Sequence, residues 1–199
     1  MVGAQHECPR RQFLLWAAAV ATPLPGLLAG CAQGQPPTGI QSAAVPPQCI
    51  PDWMLTPNNV ADADLMRDIE VIRDLLVHHQ DIVRTVEHFS YGIRATTTSS
   101  NRDLAERIRT HAEQMKLRLQ RGAAIRQLDP LFAEIFAHHQ LVDLQIERLP
   151  NGIRINETSS DPVTVMLLRQ HAVRAVSEFV AKGMSRAVQP TPLPPGYPG

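Results

Sequence analysis

Between residues 60 and 188 the apolar positions recur three and four apart. Leu65, Ile69, Ile72, Leu76, His79, Val83 and Val86 share one face of a helix that the spacing carries through to Phe89. Phe132, Ile135, Phe136, His139, Val142, Ile146 and Leu149 give a second such stripe. Leu104, Ile108, His111, Met115 and Leu119 give a third, and Leu168, His171, Ala175 and Phe179 a fourth. The ends are marked chemically. Asn101, Asp129 and Asp161 stand where N-caps are expected, the last two followed by Pro130 and Pro162 at the first helical position, and Gly122 and Gly183 suit C-terminal stops.

The stripes belong to an internal repeat with an ungapped offset of 60 residues. His78-His79-Gln80 returns as His138-His139-Gln140, Gly92-Ile93-Arg94 as Gly152-Ile153-Arg154, Thr98-Ser99-Ser100 as Thr158-Ser159-Ser160, and His111-Ala112 as His171-Ala172. So many matches in one register indicate a tandem duplication, with repeats at about 62–122 and 122–183. The expected fold is all-α: an up-down-up-down four-helix bundle built from a duplicated helix hairpin. The segments Gly92–Thr98 and Gly152–Thr158 alternate partially in Ile, Arg and Thr, and suit a small two-stranded antiparallel ribbon at one end.

Composition sets the limits of this domain. The chain has 199 residues, zero formal net charge and 17 prolines, of which only Pro130, Pro150 and Pro162 fall within 60–188. Residues 31–59 therefore read as a Pro-rich tether and 189–199 as a Pro-rich tail. Neutral charge and few aromatics argue against nucleic acid as a partner. Three cysteines make no disulfide framework and no CxxC or CxxCH pattern. Gly-rich phosphate loops, GxSxG and HExxH are missing, so no catalytic residue is assigned and the chain reads as a binding protein.

The N-terminal thirty residues read as an address. Arg10-Arg11-Gln12-Phe13-Leu14 resembles a twin-arginine export motif, with Pro9 where Ser or Thr is more usual, and an apolar run follows to Val20. Leu28-Ala29-Gly30-Cys31 is similar to a bacterial lipobox. The resemblance implies cleavage before Cys31, a lipid on Cys31 and a protein anchored to the cell envelope on its periplasmic side. It also implies folding before export, which suits a cofactor loaded early.

Histidine is the candidate chemistry. Six of the eight histidines form the duplicated pairs, and His88 of the first copy is replaced by Arg148 in the second. On four helices, His79, His111, His139 and His171 each fall roughly 15 Å from the same end of the bundle, one per helix on the apolar stripe. Buried imidazoles need partners for both ring nitrogens, and a transition metal (Cu, Zn, Ni or Fe) supplies one. The leading expectation is a membrane-tethered protein that binds a His-ligated metal for storage, delivery or redox work, with a redox or metal-trafficking protein as its partner. His78 and His138, four residues after Asp74 and Glu134, would orient the ligands or form an outer site. The runner-up is a b-type haem electron carrier with two of these histidines as axial ligands, and Arg94 and Arg154 meeting an anion or the haem propionates. A diiron site is weaker, because neither Asp74 nor Glu134 starts a carboxylate-x-x-His pair. The remaining class is a structural or pH-responsive interaction protein without a cofactor.

Overall fold

The computed structural model describes residues 63–198. The leader, Cys31 and the tether lie outside the described residues. The fold is α+β, which corrects the all-α four-helix bundle. In chain order the elements are α1 (Ala63–Val77), β1 (Ile82–Phe89), β2 (Gly92–Ser99), α2 (Arg102–Arg121), α3 (Pro130–Ala137), β3 (Asp143–Leu149), β4 (Gly152–Thr158), α4 (Pro162–Gln170), α5 (Glu178–Lys182) and α6 (Met184–Ala187). A π-helical segment, His171–Ser177, joins α4 to α5. Each repeat is thus helix, β-hairpin, helix.

The correction has a physical origin at the two His-His-Gln corners. The chain leaves α1 at Val77 and α3 at Ala137, makes a single 3-10 turn (His79–Asp81, His139–Leu141), and becomes strand. Ile82, Val83, Thr85 and Val86 are β-branched and lose side-chain freedom in a helix, so an extended conformation suits them better. Their inward phase is Ile82, Arg84 and Val86. In the second repeat Leu144 and Ile146 are half-buried, alternating with exposed Asp143, Gln145 and Glu147. A four-residue spacing such as Ile82 to Val86 satisfies both periods.

The four strands form one antiparallel sheet in the order β1-β2-β4-β3. Gly92–Thr98 and Gly152–Thr158 do pair with each other, as the centre of this sheet and not as a separate ribbon. Gly92 faces Thr158, Thr98 faces Gly152, and Ala95 faces Ile155. Exchanging the repeats leaves that register unchanged, so a pseudo-two-fold axis passes between Ala95 and Ile155. The flanking bonds obey it: Ser99 N–H donates to Asn151 O at 2.9 Å and Ser159 N–H to Tyr91 O at 3.0 Å. Arg109 reaches the Leu149 carbonyl at 2.9 Å, and Arg169 reaches Phe89 in the equivalent way.

One face of the sheet carries the helices, with α2 and α4 crossing the central strands. That face presents Ile82, Ile93, Ala95 and Ile153 to the core. The other face is polar, with Arg94 paired to Glu87 and Arg154 to Glu147. The caps form as their residues demand: Asn101 accepts from Asp103 and Leu104, Asp129 from Leu131, and Asp161 from Thr164. Gly122 ends α2 in the left-handed region at φ 63°. The tail is part of the domain. Thr191 is buried and its N–H donates to the Asp129 carboxylate at 3.0 Å, while Leu193 and Tyr197 pack against Leu131 and Phe132 of α3. Among the described residues no helix is long and apolar enough to cross a membrane.

Candidate functional site

The sheet and the helices do not close completely on each other. A cavity of about 220 Å³ remains between them, walled largely by apolar side chains of α1, α2, α3 and the α4–α5 region. It is larger than the roughly 150 Å³ apolar cavity that accepts a benzene molecule. Six polar side chains break its lining: Arg84 of β1, Thr97 of β2, His111 of α2, Arg126 before α3, Glu157 of β4 and His171 at the start of the π segment.

Alternation on the strands places three of them. Arg84, Thr97 and Glu157 lie in the inward phase, and Arg84 stands directly opposite Thr97, whose hydroxyl oxygen accepts from Arg84 Nη1 at 2.7 Å. His111 and His171 are related by the pseudo-two-fold and enter from the helix side. The His171 ring meets the Phe132 ring edge-on at 5.3 Å, and its Nδ1 lies 3.8 Å from Glu157 Oε2. Within the π segment Ser177 Oγ donates back five residues to Ala172 O at 2.8 Å. A π turn shifts the phase of the residues after His171 and is often found beside functional sites.

Burial sets the electrostatics. It pushes His111 down to about 4, helped by the neighbouring His171 and Arg84, so the ring is neutral at neutral pH. Burial also lowers Arg84 to about 10, opposed by the negative charge of Glu157, and the guanidinium stays charged. Three polar atoms here are buried without a hydrogen-bond partner: His111 Nδ1, Arg84 Nε and Glu157 Oε2. An unsatisfied buried group costs on the order of 1–3 kcal/mol, so three in one cavity are costly unless something else completes them.

The remaining sequence candidates lie elsewhere. His79 and His139 leave the expected layer because the chain turns out of the helix just before them. His79 Nδ1–H donates to Val180 O at 2.8 Å and its ring packs under Gly183. The His139 ring packs under Gly122 in the equivalent way. His78 and His138 donate from Nδ1 to the backbone carbonyls of Asp74 and Glu134, at 3.0 and 2.9 Å, and so cap the ends of α1 and α3. The Asp74 carboxylate is taken by Arg107 at 2.8 Å and that of Glu134 by the Tyr197 hydroxyl at 2.6 Å. Arg94 and Arg154 are on the opposite face of the sheet from the cavity. Among the described residues no group of three or more His, Cys, Asp or Glu could hold a metal ion, which corrects the expected metal-binding histidine cluster. Of the four histidines of the expected layer, His111 and His171 line the cavity.

Sequence reasoning passed over Arg84, Thr97 and Glu157. The signal for them was present as departures from the repeat: Leu144 stands at the position equivalent to Arg84, and Glu157 at that of Thr97. Comparison of the chain with family models, curated proteins and solved structures finds no match.

Proposed function

We propose that residues 63–198 form the ligand-binding domain of an exported, envelope-anchored protein, and that the cavity holds a small, mainly apolar molecule. The observation that carries this reading is that three side chains lining one largely apolar cavity, His111, Arg84 and Glu157, each carry a buried polar atom without a hydrogen-bond partner. Binding sites for small molecules combine an apolar lining with a few convergent polar groups in this way. Support for export and anchoring comes from the Arg10-Arg11 motif, the Leu28–Cys31 lipobox resemblance and the Pro-rich tether after it.

Titration of the purified protein with ring compounds of benzene size and slightly larger, followed by calorimetry and by the His111 and His171 ring signals in NMR, tests the first part. Saturable binding that moves both rings is expected. If none of these compounds binds, the cavity is packing imperfection and the reading falls. Anchoring is tested by fractionating cells that express the full chain: the parent should sediment with membranes and Cys31→Ser should not.

A further inference from the structure

The cavity's own charges narrow what can enter it. Arg84 carries a positive charge and Glu157 a negative one, while His111 is neutral. Arg126, the other cation of the lining, is paired with the buried Asp129 carboxylate at 2.8 Å, so the lining is balanced before any ligand arrives. A carboxylate or an ammonium would bring an uncompensated charge into an apolar space, where desolvation costs several kcal/mol per ion. The unpartnered atoms differ in kind. Arg84 Nε carries a hydrogen and can only donate, and Glu157 Oε2 as a carboxylate oxygen can only accept. They also stand apart, because Arg84 is on β1, Glu157 is on β4, and β2 runs between those strands. Two strand spacings, about 9.5 Å in all, separate their strands, and Glu157 lies in the row of Ile93 and His88, four residues or about 13 Å along from that of Arg84. The two long side chains shorten this distance from either side. The walls also include the rings of Phe132, Phe136 and Phe179.

We infer that the cavity takes a neutral aromatic molecule with a hydroxyl at one end and a carbonyl at the other, the hydroxyl donating to Glu157 Oε2 and the carbonyl accepting from Arg84 Nε. This inference rests on the cavity-binding reading above. A ring with two short polar ends has about ten non-hydrogen atoms, in keeping with a space moderately larger than one that accepts benzene.

The test is a calorimetric series on the full chain at a pH where the phenol is neutral. The probes are para-hydroxyacetophenone, para-methoxyacetophenone (no donor), para-ethylphenol (no carbonyl), para-hydroxybenzoate, tyramine and ethylbenzene. The first should bind at least about tenfold more tightly than each of the others, because each loses a partner for a buried polar atom or adds a charge. In Glu157→Leu, which removes the acceptor, the preference for hydroxyl over methoxy should collapse to about unity, and in Arg84→Leu, which removes the donor, the preference for acetyl over ethyl should do so. Thermal melts of both variants establish that they are folded. If all the neutral probes, ethylbenzene included, bind equally, the ligand class is wrong and the cavity reading stands. Tightest binding by para-hydroxybenzoate or tyramine would overturn the charge-balance basis. If no probe binds, both this inference and the cavity reading fail.

Discussion

The two repeats share a scaffold and differ in what they place inside it. Their common interactions are mostly to backbone: the β2–β4 register, the reciprocal bonds of Ser99 and Ser159, and the arginines Arg109 and Arg169 reaching across to the other hairpin's turn. Such contacts depend little on neighbouring side chains, so a duplicated chain keeps them twice. The differences gather at the cavity. The first repeat supplies a cation, Arg84, where the second has Leu144. The second supplies an anion, Glu157, where the first has Thr97. His111 sits in a regular helix, whereas its partner His171 opens a π segment. Symmetry built the enclosure, and departures from symmetry gave it two unlike ends.

The comparison breaks first at the glycines that let β2 and β4 approach. A Cβ on Gly92 would stand 2.1 Å from Glu157 O, and one on Gly152 would stand 2.1 Å from Thr97 O. Gly92→Ala and Gly152→Ala should each lose about 3–4 kcal/mol in denaturant melts, and by matching amounts. Costs that differ by more than about 1 kcal/mol would mean the scaffold is less symmetric than its register.

Acid comes next. His111 has a folded value of about 4, below its usual 6.5, so the unfolded chain binds the proton more readily. Its contribution is fully present above the usual value and is lost as the pH falls from there towards 4, up to about 3 kcal/mol in all. The titratable groups that act on it are His171 and Arg84. The denaturation midpoint followed against pH should show this loss, and His111→Gln should flatten it; an unchanged slope in that variant would assign the loss to other groups.

Making the repeats alike is a sharper test of their divergence. Arg84→Leu and Glu157→Thr should each lose about 2 kcal/mol, because each strands the opposite charge. The double variant should return to within about 1 kcal/mol of the parent or exceed it, since an apolar replacement of a buried charge pair is often neutral or stabilising. Additive losses would show that the two charges do not sense each other. The smallest effect belongs to the open face of the sheet: Glu87→Ala and Glu147→Ala remove exposed partners of Arg94 and Arg154 and should each cost under about 0.5 kcal/mol in the same melts.

What could be read from the sequence follows the range of the forces involved. Caps are local chemistry, and Asn101, Asp129 and Asp161 could be placed by inspection. The duplication was equally visible, because it needs only the chain itself. The strands β1 and β3 were not, since Ile82, Val83 and Val86 at the one and Val142, Ile146 and Leu149 at the other continue spacings of three and four that read as helix. That one misreading carried His79 and His139 onto helices they never join, and with them the expected metal layer. Arg84 and Glu157 escaped notice for the opposite reason. A search for matches between repeats passes over the positions where they disagree, and a buried charge is recognisable only once the sheet face is known.

The way the second repeat completes the first also bears on when the molecule can form. His79 needs Val180 and Gly183, a separation of about a hundred residues, and the buried Asp129 needs the backbone of Thr191. During synthesis the first hairpin can emerge and pair with itself, but its corner stays open until the chain has been made almost to residue 191. The enclosure around the cavity is therefore assembled late, from both ends of the domain, and a nascent chain arrested before that point holds the right residues with nothing yet to enclose.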